Sequence, residues 1–221
     1  DEKITVTYLA ANPAFRLIEP AQLAAPLAGF GLSPKSYVLT VGTLEPRKNL
    51  STLFAAFAKL PKALRQRFPL VVVGMKGWKY DDLMGEAQTL VNDGELRFLG
   101  YVDDAQMPAI YAGAAAFCYP SRYEGFGLPA LEAMASGVPV LTSNATSLPE
   151  VVGHAGLMVD PDDVGGMCDS LALLLEDAST AHHMAELGLA RARTFSWERC
   201  AQETLAVYQQ VAMPRQSCTQ T

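Results

Sequence analysis

No stretch of this chain approaches the roughly 20 apolar residues of a membrane span, so nothing in it reads as a transmembrane helix. The opening DEKITVTYLA lacks the form of a secretory signal. Positive charge is in deficit: 17 Lys and Arg stand against 23 Asp and Glu, a formal net charge of -6. That balance argues against nucleic acid as a partner, because neutralising phosphates takes a basic excess. A small anion held by two or three local cations stays open. Cysteines are few, at Cys118, Cys168, Cys200 and Cys218, and none forms a C-x-x-C pair. Cys118 falls in an apolar run and reads as a buried free thiol, which suits a reducing compartment. His154, His182 and His183 have no ligand spacing with the cysteines or with each other, so no metal site is read. The expectation is a soluble, cytoplasmic chain with at most peripheral membrane association. A starting methionine is also lacking, so a fragment is expected.

Several motifs are absent too. There is no G-x-x-x-x-G-K-[ST], which excludes a Walker A loop, and no G-x-G-x-x-G, which removes the main support for a nicotinamide or flavin site. No G-x-S-x-G and no paired Cys and His suggest a hydrolase. No internal repeat and no low-complexity linker divides the chain.

What is present is a regular alternation. SYVLTVG (36–42), PLVVVG (69–74), ELRFLG (95–100), AAAFCYP (114–120) and VPVLTS (138–143) are short apolar runs. Helical spacing falls between them, over 50–60, 81–91, 104–113 and 128–135. Such alternation predicts an α/β domain, a Rossmann-like parallel sheet flanked by helices on both faces. Strands buried on both faces read as continuous apolar stretches, as these do. Three further helices are read over 164–176, 180–193 and 197–211, and the polar tail over 213–221 reads as frayed. Before the alternation, ITVTYL (4–9) reads as an edge strand, and AQLAAPLAGFGL as a short helix interrupted by proline.

In such sheets ligands bind off the carboxyl ends of the strands. The first three runs end at Gly42, Gly74 and Gly100, so the loops after them should line one crevice. GTLEPRKN (42–49) places Arg47 and Lys48 together in the first of these loops, with Asn49 or Ser51 as an N-cap. A guanidinium binds phosphate bidentately and an ammonium serves it as a point charge; taken alone, the pair reads first as a solvated turn. GMKGW (74–78) puts Lys76 in the second loop, where Trp78 either packs on the surface, the preferred reading, or stacks on a ligand. GYVDD (100–104) offers backbone groups at Tyr101 and Val102 to the edge of a base, with Asp104 preferred over Asp103 as the cap of the next helix. Asp160 and Asp162 match D-x-D, but VDPDD precedes a helix and reads as turn and cap chemistry.

The densest stretch is SRYEGFGLPALEAMASG (121–137). Glu124 and Glu132 stand eight residues apart, with Gly125 and Gly127 between them. A backbone can come close to a ligand there, and a helix with Pro129 in its first turn follows. One carboxylate precedes the helix and one sits on its second turn, beside a helix N-terminus suited to an anion.

The spacing EGFGLPALE resembles the E-x7-E motif of retaining glycosyltransferases of the GT-B fold, in particular glycosyltransferase family 4. GTLEPRKN, GMKGW, FLGYVDD, YPSRYEGFGLPALEAMASGVPV and SLPEVVG fall in the order that family shows, over most of the chain from Tyr37 to Val211. The resemblance implies one half of a GT-B fold. Residues 36–212 would form the nucleotide-sugar-binding domain, and 1–35 an interdomain segment. It implies that Arg47 and Lys48 contact the donor diphosphate and that Glu124 lies beside the donor sugar. The backbone of Gly125, Phe126, Gly127 and Leu128 would contact sugar and phosphate, and Glu132 would hold the ribose hydroxyls. Gly42, Lys76, Tyr101 and Val102 complete the expected donor site, with Glu124, Arg47 and Lys48 as its catalytic members. No cofactor and no metal are expected. GTLEPRKN with GMKGW resembles bacterial mannosyltransferases that build surface polysaccharide, so the implied donor is GDP-mannose. The implied acceptor is a glycan or lipid-linked glycan, held by an N-terminal domain that this chain lacks. The competing readings are a non-catalytic nucleotide-sugar-binding module and another GT-B enzyme such as a nucleotide-sugar epimerase.

Overall fold

Six short strands form one parallel sheet: β1 (Val38–Val41), β2 (Leu70–Val73), β3 (Leu96–Gly100), β4 (Ala116–Tyr119), β5 (Val140–Ser143) and β6 (Leu157–Val159). The computed structural model that shows them describes residues 3–78 and 80–212. The tail read over 213–221, with Cys218, lies outside the described residues. The strand order is β3-β2-β1-β4-β5-β6, the doubly wound order of a Rossmann-like sheet. The expected fold class is therefore the observed one.

The side chains of each central strand alternate between two cores. On one face Leu39, Val71, Phe117 and Tyr119 pack with Leu23 and Leu27 of α1 (Pro20–Ala28), Ile110 and Tyr111 of α5 (Met107–Gly113), and Leu131 and Met134 of α6 (Leu128–Ala135). On the other, Val38, Leu70, Val72 and Cys118 pack with Leu53 and Phe57 of α2 (Leu50–Lys59), Leu64 of α3 (Lys62–Arg67), Leu90 of α4 (Tyr80–Asn92), and Met167 and Leu171 of α8 (Val164–Glu176). Burying each such side chain contributes roughly 1.5–3 kcal/mol. These two layers fix the sheet, and the sheet fixes its carboxyl-end loops. α7 (Leu148–Val152), α9 (Ala178–Ala192) and α10 (Trp197–Ala212) complete the described helices. Among them none is long and apolar enough to cross a membrane.

Five local expectations need correction. ITVTYL forms no strand: Ile4 and Val6 are 68% and 61% exposed, and Tyr8 instead packs on Phe126 and Phe195. A sixth strand, β6, lies in GLMVD; at three half-buried residues it is too short to show periodicity. The helix after β3 begins at Met107, not Asp104. Asp103, not Asp104, makes the side-chain turn, accepting from the Ala105 amide at 3.0 Å. Asn49 does stand at the N-cap of α2, but without a side-chain cap bond, because its oxygen accepts from the Thr52 hydroxyl instead.

Candidate functional site

β1 and β4 are neighbours where the strand order reverses, the place at which such sheets open a crevice. Their pairing is short, with Val38 facing Ala116 and Leu39 facing Phe117. β1 stays paired with β2 up to Val41, and β4 with β5 up to Tyr119. The two strands part at their carboxyl ends, and the residues that follow them meet in the gap.

From the β1 side comes a 3₁₀ turn, Pro46–Lys48, which carries both cations. Gly42 ends the strand with φ at 149°, and a Cβ there would stand 3.1 Å from Lys48 Cε. The lysine stem thus lies across the strand end, where a side chain would crowd it. Asn49 follows in the left-handed region, with φ at 57° and 4% exposure. Its amide donates to the carbonyls of Pro120 (3.1 Å) and Pro161 (2.7 Å), and its oxygen accepts from Thr52 (2.8 Å). One side chain therefore ties the loop after β1 to the loops after β4 and β6.

From the β4 side comes Glu124. Its Oε1 lies 2.6 Å from Lys48 Nζ and 2.8 Å from the Tyr119 hydroxyl, and its Oε2 lies 3.1 Å from Arg47 Nη1. Lys48 also donates to Tyr119 at 2.6 Å. Arg47 pairs in addition with Glu45 at 2.6 Å and donates to the Tyr123 carbonyl at 3.2 Å. Burial would push the Glu124 carboxyl up, but the bonds from Lys48 and Tyr119 outweigh it and hold it below the usual range. Burial, and then Glu124, raise the Tyr119 phenol, so it stays a neutral donor. Burial works against the Arg47 guanidinium too, yet Glu124 and Glu45 raise it. The three residues expected to be catalytic form one ion-paired cluster with Glu45, in which two carboxylates balance two cations.

The backbone of Glu124 is anchored from β5's side of the sheet. Its amide donates to Thr146 Oγ1 at 3.1 Å, and Ser147 Oγ donates to the carbonyls of Glu124 (3.0 Å) and Phe126 (2.9 Å). Gly125 is exposed, Phe126 and Leu128 are half-buried, and Gly127 is buried as the N-cap of α6. Gly127 has φ at 104°, a left-handed conformation that favours glycine. The Phe126 ring packs on Tyr8 and Phe195, so what this residue offers a ligand is its backbone. The first amides of α6 have no partner within the helix and form its positive end.

Glu132 sits on the second turn of α6, half-buried, opposite the buried Tyr111 of α5. Burial raises its carboxyl to about 7; the Tyr111 hydroxyl pulls it back and the charge of Asp104 raises it further. Gly42, Tyr101 and Val102 line a hollow of about 170 Å³ at the ends of β1, β2 and β3. Tyr101 is 69% exposed, whereas the Val102 side chain is in the core, so its backbone alone is available there. Lys76 and Tyr101 line a neighbouring hollow of about 250 Å³. A parallel bridge between Leu44 and Lys76 joins the loops after β1 and β2. Trp78 is 62% exposed over a third hollow, of about 300 Å³, with Glu45, Asn49 and Arg122. The D-x-D residues do behave as turn and cap. Asp160 accepts from the Asp162 amide, Asp162 pairs with Arg122, and Asp163 caps α8 through the Gly166 amide. Cys118 is a buried free thiol, and Cys168 and Cys200 are also free.

Sequence reasoning missed Tyr119, Tyr111, Thr146 and Ser147, and saw in Asn49 only a cap. Tyr119 was hidden as the last letter but one of the apolar run AAAFCYP. Its signal was a polar-tipped aromatic at a strand end beside a basic loop, since a buried tyrosine hydroxyl usually finds a partner.

Residues 31–191 match the family described as Glycosyl transferases group 1. The chain is 44% identical to an O-antigen chain mannosyltransferase B of Escherichia coli over 207 residues, 94% of this chain and 54% of that protein. It is 35% identical to a serotype-specific mannosyltransferase, WbdA, of Escherichia coli over 170 residues, 76% of this chain and 21% of that protein. Among solved structures, a sucrose-phosphate synthase from Thermosynechococcus elongatus superposes with a TM-score of 0.80 at 26% identity, covering 94% of this chain and 52% of that one. The chain thus spans about half the length, or less, of these three proteins. The family match takes in all six strands, the ion-paired cluster and both glutamates. The chain belongs to the group 1 glycosyltransferases.

Proposed function

We propose that this chain is the donor-binding half of a retaining glycosyltransferase that moves mannose from GDP-mannose to a glycan or lipid-linked acceptor, without a metal. The observation that carries the reading is the meeting of Arg47, Lys48 and Glu124 at the switch point of the sheet, beside the N-terminus of α6. Departure of a nucleoside diphosphate builds negative charge on its phosphates. Arg47, Lys48 and the first amides of α6 are donors already in place to meet it. Loss of one such preorganised donor typically lowers a rate by about 10²- to 10³-fold. Glu124 faces the donor sugar and stabilises positive character at the anomeric carbon. Glu132, as a carboxylate, accepts two hydrogen bonds from the ribose diol. The hollow around Gly42, Tyr101 and Val102, with Lys76 at its side, takes the base. The choice of mannose follows the mannosyltransferases among the relatives. On this reading these residues bind donor, and transfer needs an acceptor-holding part outside them.

Calorimetry against GDP-, UDP- and ADP-sugars, with and without a chelator, tests the reading. Micromolar binding of GDP-mannose, unchanged by the chelator, is expected. Binding of UDP-sugars with no response to guanosine ligands would sink the mannose assignment, and loss of binding in chelator would sink metal independence.

A further inference from the structure

Tyr119 is the last residue of β4 and is 1% exposed. Its hydroxyl accepts from Lys48 Nζ at 2.6 Å and donates to Glu124 Oε1 at 2.8 Å, while Lys48 donates to the same Oε1 at 2.6 Å. The three polar atoms form a closed triangle. Its third side chain is held as firmly as the other two. The Tyr119 ring stacks on Phe117, with centroids 5.9 Å apart and planes at 25°, and Phe117 stacks on Tyr111 at 5.3 Å and 27°. Phe117 and Tyr119 are alternate residues of one strand, so the strand itself sets the column.

An ammonium has three N–H donors in fixed tetrahedral directions. Two are taken here, by Tyr119 and by Glu124. With two directions fixed, the third is fixed as well. A bond to Glu124 alone would leave the ammonium free to turn about that axis. We infer that Tyr119 is a positioning residue for this site: by holding one Lys48 N–H and one Glu124 lone pair, it aims the remaining Lys48 N–H at the diphosphate of the donor. This rests on the donor-binding reading above. Tyr119 itself touches no ligand in this account; it acts through Lys48.

Tyr119→Phe keeps the ring, the stacking and the ion pair, and removes only the hydroxyl. Titration calorimetry of the full chain is carried out with inorganic pyrophosphate, GDP-mannose and guanosine, on wild type, Tyr119→Phe, Lys48→Met and the double variant. The expected result is about a tenfold weakening of pyrophosphate and GDP-mannose in Tyr119→Phe, equivalent to about 1.4 kcal/mol, with guanosine unaffected. Added to Lys48→Met, the same change should cause no further loss. A merely structural role would weaken guanosine equally, or would persist without Lys48, and either outcome overturns the inference. If GDP-mannose binds and Tyr119→Phe leaves it unchanged, the inference falls and the donor reading stands. If pyrophosphate binds and loses affinity in Tyr119→Phe while no guanosine ligand binds, the inference stands and the donor assignment falls. If no probe binds wild type, both fall. Should Tyr119→Phe not fold, the wild-type protein with ¹⁵N-lysine serves instead. A slowly exchanging Lys48 ammonium signal that shifts on adding pyrophosphate supports the inference, and a fast-exchanging signal that ignores pyrophosphate overturns it.

Discussion

Lys48 Nζ and Glu124 Oε1 lie 2.6 Å apart, and each of these side chains is only 9% exposed. A pair this buried stabilises little by itself, because desolvation offsets most of the attraction, but removal of one partner strands the other. Glu124→Ala leaves Lys48 without a counter-charge and is expected to destabilise the chain by about 3–5 kcal/mol; Lys48→Met should cost less, because Arg47 and Tyr119 still hold Glu124. The double change Lys48→Met with Glu124→Leu should cost less than Glu124→Ala alone, with Arg47 remaining on Glu45. Urea unfolding of the three variants checks this, and simple additivity would show that the pair is not coupled.

Glu132 gives a pH dependence opposite in sign to that of Glu124. Its carboxyl is raised by burial to about 7 from an ordinary 4.5, so the folded chain holds the proton more tightly than the unfolded one. Its contribution to stability is complete below 4.5 and is lost as pH rises to about 7. Glu124 is held below its ordinary value, so its contribution is present at neutral pH and is lost as pH falls through the depressed value. Ligand binding should follow Glu132: if the carboxylate takes the ribose diol, affinity for GDP-mannose rises between about pH 6 and 8. Glu132→Gln should flatten that rise. A rise that survives in Glu132→Gln would assign the pH dependence to another group.

Asn49 is expected to matter more for shape than its place at a helix start suggests. Its amide satisfies two carbonyls on separate loops, and its backbone is left-handed. Asn49→Asp turns that donor into an acceptor facing Pro120 and Pro161, and should destabilise by roughly 2–4 kcal/mol. Asn49→Gly keeps the backbone conformation and loses the same bonds, so it should cost less than Asn49→Asp. Thermal melts that rank them the other way would contradict this account.

The sheet was legible because its strands are buried on both faces. Runs such as PLVVVG cannot be placed anywhere but a core, and the glycines after them marked the carboxyl ends. ITVTYL misled because alternation needs a partner strand to become structure, and this segment lies on the surface through Tyr8. β6, α3 and α7 are each six residues or fewer, below the length at which period separates from chance. In the site, residue types were readable and their partners were not. Arg47 and Lys48 read as a pair waiting for a diphosphate, and Glu124 as a separate group waiting for a sugar. Only the reversal of strand order between β1 and β4 brings positions 76 or 77 residues apart into one ion-paired cluster.

This cluster, with Glu132, is proposed to hold a nucleotide sugar. The most direct measurement is calorimetric titration of GDP-mannose into wild type, Arg47→Ala and Glu132→Ala. Wild type should bind with micromolar affinity, about -8 kcal/mol at 1 μM, and each variant should lose at least tenfold. An affinity unchanged in both variants would contradict this and leave the constellation a purely structural one.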